Sequence, residues 1–328
     1  MKALSIIVPA YNVEHYIEKC LSSLVENEEI IDSLDILVIN DGSTDGTQAK
    51  VKKYVERYPN SIRLINKKNG GHGSGINKGI ELMQGKYFKV LDSDDWFDNK
   101  GLCRLVKLIE SGINYDMILS PYYEIWENKT SPISVWDNIF KDKSEVTFDD
   151  LNRNKLTASL QVITLKSRIF QENISRKIDE KISYDDVEYY LFPIPYIESC
   201  YYINEYIYNY RLGLDTQSVN SDVFQRRRNM HYKVIETLIE YYNYNKNLFS
   251  NSARLYYHKN VAREIEINSN LILKSNEKNS KNNMKLLLEL STKLNGIVLN
   301  KKLTFLKITK CRLYDIVKFV YRIKNKHF

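Results

Sequence analysis

Four short apolar runs, LSIIV (4–8), LDILVI (34–39), SIRLIN (61–66) and YFKVL (87–91), alternate with helical periodicity over roughly 14–26, 45–57 and 75–84. A further helix over about 99–111 and a strand over 117–125 continue the pattern. Strands and helices alternating at this pace specify an α/β fold, a parallel sheet with helices on both faces. In such sheets ligands bind beyond the carboxyl ends of the strands. Four polar segments fall there: Pro9–Asn12, Asn40–Ser43, Asn69–Gly75 and Asp92–Asp95.

The last of these is the most informative. Asp92, Asp94, Asp95 and Asp98 lie within seven residues, and such carboxylates repel one another unless a cation sits among them. At an alternating strand end Asp92 and Asp94 share a face, one either side of Ser93. Carboxylate oxygens completed by phosphate oxygens are how Mg²⁺ or Mn²⁺ is held beside a nucleotide. The same residues would also serve as a solvated helix N-terminus. The glycine loop is a different matter. Gly71, Gly73 and Gly75 are spaced GxGxG after the third strand, whereas a dinucleotide fold needs GxGxxG after the first. No GxxxxGK[ST] sequence is present either.

Taken together, PAYN, NDGSTDGT, NGGHGSGINKG and YFKVLDSDDWFD resemble the family 2 glycosyltransferases with the GT-A fold, over about residues 4–220. The resemblance implies a Rossmann-like, mostly parallel sheet and a UDP-sugar donor. It carries Pro9, Tyr11, Asn12 and Asp41 over to the nucleoside. Asn69, Gly71, His72, Gly73, Asn77 and Lys78 would line the donor pocket. Asp92, Ser93 and Asp94 correspond to the DxD motif, with Asp94 and Asp92 as the metal site. Singly, Asp41 could cap a helix and His72 could bond within its loop.

Inverting transfer also needs a carboxylate opposite the departing diphosphate, to take the acceptor's proton. ISYDDVEYYLFPIPY (182–196) resembles the family's second acidic motif and puts that base at Asp186, with Asp185 the fallback. The resemblance carries Arg211, Gln217 and Ser218 over as diphosphate or acceptor contacts, a task that suits the planar fork of Arg; Arg211 could equally be an ion-pair residue. Residues 115–165 read as irregular, with Trp126 and Trp136 suited to an acceptor or to the core.

With 328 residues, 43% of them hydrophobic, the chain can bury one large domain and an appendage. The expected division is 1–221, catalytic, and 222–328, helical. Cys20, Cys103, Cys200 and Cys311 form no CxxC pair, which suits free thiols in a reducing compartment. No signal peptide is legible, and no apolar run nears the ~18 residues of a spanning helix. The expected location is cytoplasmic, with peripheral attachment at the inner membrane face. Residues 254–328 hold 17 Lys/Arg and 5 Asp/Glu, a net of +12, so with +7 overall residues 1–253 stand at −5.

Helical patterns cover 223–244, 252–273, 283–294 and 303–324. In the last, Leu306, Leu313, Ile316, Val317, Val320 and Ile323 share a face roughly opposite Lys307, Lys318 and Arg322. Such a helix suits an anionic membrane surface, a seam between copies, or packing on the first domain. No nucleic-acid motif accompanies it. The expected activity is inverting transfer of a sugar from a nucleotide donor to a saccharide or lipid-linked acceptor. The rivals are a non-catalytic binding protein of the same fold and a nucleotidyltransferase. The latter would need a glycine-rich phosphate loop after the first strand.

Overall fold

The computed structural model describes residues 2–126, 129–133, 139–157, 159–213 and 221–324. Two compact units are present, Met1–Asp215 and Thr216–Phe328.

The first unit opens with β1 (Leu4–Ala10), α1 (Ile17–Val25), β2 (Leu34–Asn40), α2 (Thr47–Arg57), β3 (Ile62–Asn66), α3 (His72–Leu82) and β4 (Tyr87–Val90). There follow β5 (Trp96–Phe97), α4 (Asn99–Glu110), β6 (Met117–Leu119), β7 (Tyr122–Trp126), β8 (Lys129–Ile133), β9 (Ser144–Val146) and α5 (Phe148–Arg153). The unit closes with β10 (Ile163–Lys166), α6 (Asp186–Leu191), β11 (Cys200–Tyr202) and β12 (Tyr208–Arg211). Among the described residues an eight-stranded sheet runs β3-β2-β1-β4-β10-β6-β11-β9, and a four-stranded one β5-β12-β7-β8.

Strands β1, β2 and β4 are buried at every residue, as expected of parallel strands covered on both faces. In register, Ala10 lies beside Asn40 and Asn40 beside Asn66. The loops after β1, β2 and β3 therefore leave from one edge. Strand β4 is parallel to β1 and delivers Asp92–Asp95 to the same edge.

Several details depart from the sequence reading. Helix α3 begins at His72 rather than about 75, because Gly71, at φ +87°, turns the chain into it. The later glycines then serve packing. A Cβ on Gly79 would lie 2.3 Å from Ile7 Cγ2, and one on Gly75 2.9 Å from Pro9 Cβ. Only bare glycine lets this helix lie so close on β1. The strand expected over 117–125 is two strands in different sheets, β6 and β7. Strand β10 runs antiparallel to β4 and β6, so the sheet is mixed. Residues 115–165, read as irregular, contain the β7–β8 hairpin, β9 and α5; Trp136 lies outside the described residues.

An unexpected charge sits in the core. Lys89 of β4 is fully buried, and its Nζ donates to the carbonyls of Gln161 and Ile163, each at 2.8 Å. Burial brings its pKa down to about 7.

The second unit is helical: α7 (Ser221–Arg226), α8 (Arg228–Asn245), α9 (Asn251–Lys274), α10 (Ser280–Thr292), α11 (Lys301–Ile308) and α12 (Tyr314–Lys324). The helix expected over 223–244 is two, α7 and α8. The single helix expected over 303–324 is also two, broken where Lys310 and Cys311 take left-handed φ of +48° and +56°. The Cys311 amide there closes on the Leu306 carbonyl at 2.8 Å. No glycine marks this break, so the sequence pattern ran through it.

Candidate active site

The loop after β3 is organised by one carboxylate. Asp41, nearly fully buried, accepts from the Lys67 ammonium at 2.6 Å and from the Gly70 and Gly71 amides at 2.9 and 2.7 Å. It thus fixes the segment that leads into α3. Beside it, the Asn12 amide donates to Ser43 Oγ at 3.1 Å, and Asn12 Oδ1 accepts from the Thr44 amide at 2.8 Å. The loops after β1 and β2 are tied into one rim. Tyr11 stands half exposed on it and Asn69 is exposed, while Pro9 is buried beneath Gly75.

His72, the first residue of α3, faces both acidic segments. Its Nε2 lies 3.0 Å from Asp92 Oδ1, and its Nδ1 lies 2.9 Å from Asp185 Oδ2. Burial disfavours its charge, but the charge and hydrogen bond of Asp185, then those of Asp92, outweigh it and hold the pKa well above the ordinary value. As an imidazolium it donates through both nitrogens. Gly73 makes the approach feasible, since a Cβ there would meet the Asp179 carbonyl at 2.4 Å and Asp185 Oδ2 at 2.9 Å. Asn77 exchanges two hydrogen bonds with the backbone of Ile178, at 2.8 and 3.0 Å, and pins the 178–182 segment to α3. Lys78 pairs instead with Glu81 at 2.8 Å.

At the end of β4 the carboxylates have separate surroundings. Asp95 is buried and accepts from the Tyr208 hydroxyl and the Arg211 amide, each at 2.7 Å. The same Tyr208 hydroxyl accepts from the Asp92 amide at 3.1 Å. Ser93 is buried between Asp92 and Asp94. Burial, then repulsion from Asp92, pushes the Asp94 carboxyl up to about 6. Arg211 donates from Nε to the Asp94 carbonyl at 2.8 Å, and its guanidinium lies about 5 Å from the rings of Tyr16 and Trp96.

On the far side, Asp185 is buried at the N-cap of α6 and Asp186, half exposed, is the first residue of that helix. Burial, then the charges of Asp92, Asp95, Asp186 and Asp94, raise the Tyr210 hydroxyl pKa. Gln217 and Ser218 lie outside the described residues.

Sequence reasoning missed Lys67, Trp96, Tyr208 and Tyr210. The signal for the tyrosines was the alternation Tyr208, Tyr210 in β12, which puts both on one strand face. Pairing of β12 with β5 then brings them beside Asp92–Asp95.

The model of the glycosyl transferase family 2 matches residues 5–178, more than half of the chain. The chain belongs to glycosyl transferase family 2. A protein from Mycoplasma pneumoniae, described as an uncharacterised glycosyltransferase, is 39% identical over 121 residues, 36% of this chain and 39% of that protein. A hyaluronan synthase of Pasteurella multocida is 27% identical over 74% of this chain, but this covers only 24% of the synthase. The chain thus spans a minor part of these two relatives. The crystal structure of TarS 1–349 from S. aureus superposes with a TM-score of 0.70 at 19% identity, covering 99% of this chain and 92% of that one. The fold is therefore the GT-A fold with helices following it.

A divalent cation is implied by that family, and the donor set fits one. Asp94 is a partly buried carboxylate beside a like charge, so a cation there would relieve the repulsion that helps to raise its pKa. Among the described residues no three His, Cys, Asp or Glu are placed to hold a metal unaided. Hard carboxylate oxygens with places left for phosphate suit Mg²⁺ or Mn²⁺.

Proposed function

We propose that this chain transfers a sugar, with inversion, from a nucleotide donor of the UDP class to a hydroxyl of a saccharide or lipid-linked acceptor. The observation that carries the reading is the convergence of two acidic centres, Asp92–Asp95 and Asp185–Asp186, on His72. One centre suits a diphosphate with its cation and the other an alcohol's proton.

In this reading Tyr11 and Asn12 meet the nucleoside at the rim. Asp41 keeps the Lys67–Gly71 loop in place and holds the Lys67 ammonium there. Asp94, with Asp92, would hold Mg²⁺ or Mn²⁺, which as a Lewis acid would offset the charge gathering on the leaving diphosphate. Arg211 adds a fixed cation at the same rim. Asp186 takes the acceptor proton as the hydroxyl attacks, and Asp185 stays bonded to His72. The donor class is supported by solved relatives of similar fold. TarS 1–349 was crystallised with UDP and with UDP-GlcNAc, and a mannosyltransferase of Pyrobaculum calidifontis with GDP-Man and Mn²⁺. Hyaluronan and chondroitin synthases among the sequence relatives point to saccharide acceptors.

The test is a panel of nucleotide sugars with Mn²⁺ or a chelator, following slow release of free nucleotide without acceptor. Metal-dependent release from one donor, abolished by Asp94→Ala, is the expected result. Full release in the chelator or in Asp94→Ala removes the metal assignment. No release and no nucleotide binding by any donor removes the reading.

A further inference from the structure

Helix α12 is packed the wrong way round for a helix in water. Its inward face is polar: the Tyr314 hydroxyl reaches the Ile272 carbonyl at 3.4 Å and Lys318 Nζ donates to Ser280 Oγ at 2.8 Å. Arg322 donates to the Leu273 and Lys274 carbonyls at 3.1 and 3.0 Å and to Asn276 Oδ1 at 2.9 Å. Those carbonyls end α9, where a guanidinium is favoured by the helix dipole. The stripe at i, i+3, i+4 and i+7 that a soluble helix normally buries is here Ile316, Phe319, Val320 and Ile323, all exposed. Ile316 keeps 61% of its surface in solvent and Phe319 65%. Leu313 begins the stripe, and Phe305 and Ile308 of α11 are exposed as well.

We propose that this face docks on an anionic lipid bilayer. Exposed cations accompany the apolar stripe along α11, the turn and α12: Lys301, Lys307, Lys310, Arg312 and Lys324. The acidic residue of the same helix, Asp315, lies 3.5 Å from Lys281. A cleft of about 390 Å³ next to the α11–α12 turn presents Lys285, Lys307 and Lys310, with the single carboxylate of Glu289, over Leu288 and Leu306. Three ammonium groups against one carboxylate leave it net positive on an apolar floor, which suits a lipid phosphate. Among the described residues no helix is long and apolar enough to cross a membrane, so the helix would lie in the interface plane. A second copy fits less well, because a symmetric seam would bring two copies of the same cationic surface together.

The test is flotation of the full chain with vesicles of phosphatidylcholine alone or mixed with phosphatidylglycerol, over a salt series. Binding only to the mixed vesicles, weakening with salt, is expected. The exposed pair Ile316→Ser/Phe319→Ser should lower the partition coefficient by about tenfold or more. Lys307→Gln/Lys310→Gln/Arg312→Gln should lower it and flatten the salt dependence. Donor turnover in solution should be unchanged in both variants, which separates lost docking from lost folding. The proposal is overturned by equal binding to both vesicle types, by no binding, or by binding indifferent to the serine pair. It is also overturned if sedimentation shows a dimer that the serine pair dissolves, since the face then belongs to a second copy.

Discussion

His72 bonds Asp92 through one ring nitrogen and Asp185 through the other, at 3.0 and 2.9 Å. One imidazolium thereby couples the carboxylate at the end of β4 to the buried cap of α6, two groups far apart along the chain. In the proposed reaction this side chain helps to set the spacing between the leaving-group end and the base end of the site. His72→Phe fills similar space but donates to neither carboxylate, leaving Asp185 buried without its cation. We expect kcat/KM for transfer to fall by roughly 100-fold, the scale of an ångström misplacement in a reacting pair. His72→Gln, which keeps a donor, should lose less. Steady-state kinetics with the donor that the nucleotide-sugar panel selects decide this, and wild-type values in His72→Phe would remove the coupling role.

The neighbouring aspartates of α6 should separate cleanly. Asp186→Asn keeps size and position but cannot take a proton, so kcat should fall on the order of 10²- to 10⁴-fold. Nucleotide affinity, measured by titration calorimetry with UDP and Mn²⁺, should stay the same. Asp185→Asn acts through His72 and should alter KM as well as kcat. Equal losses of nucleotide affinity in both variants would contradict this division of labour.

How much of this could be read beforehand depends on the distance over which a signal is written. Strands β1 to β4 are each announced by local apolar runs, and their four polar loops by strand ends. Asp92 and Asp94 stand out for the same reason, because like charges so close in sequence demand an explanation. Tyr208 and Tyr210 do not, since their meaning comes from pairing of β12 with β5, more than a hundred residues earlier in the chain. Lys67 is similar: only the folded loop brings it to Asp41. The α11–α12 break was hidden because Lys310 and Cys311 carry left-handed backbone without a glycine to mark it. The orientation of α12 was hidden for another reason. Amphipathic patterning fixes that a helix has two faces, whereas packing on α9 decides which one is covered.

Gly73 offers a test of geometry rather than chemistry. A Cβ there would lie 2.4 Å from the Asp179 carbonyl, a backbone atom that cannot swing aside, and 2.9 Å from Asp185 Oδ2. Gly73→Ala should therefore cost about 1–3 kcal/mol in denaturant unfolding, the usual penalty of overpacking. It should also lower kcat, because the carboxylate bonded to His72 must shift. Gly112 is the control, with φ +92° and nothing within 4 Å of an added Cβ. Gly112→Ala carries only backbone strain, about 1 kcal/mol, and should leave kcat alone. If the two variants lose kcat alike, the close packing at Gly73 has no part in placing Asp185.

The last expectation concerns acid stability and a carboxyl outside the proposed chemistry. Glu188 of α6 is fully buried; its Oε2 accepts from the Asp179 amide at 2.8 Å, and its Oε1 has no hydrogen-bond partner among the described residues. Burial raises its pKa from 4.5 to about 8. Between those values the folded chain holds a proton that the unfolded chain has released, so this group makes stability fall as pH rises towards 8. Lys89 acts with the opposite sign. Its pKa, lowered from 10.5 to about 7, leaves the unfolded chain with more protons above 7, so its contribution rises with pH there. The wild-type profile alone mixes the two, and the difference between wild type and Glu188→Gln isolates the carboxyl. The amide mimics the protonated acid and does not titrate, so the variant should gain on wild type as pH rises from 5 to 8 and hold that gain at pH 9. Thermal unfolding at these pH values gives the answer, and a difference constant across the whole range would mean that Glu188 is as fully ionised in the folded chain as in the unfolded one.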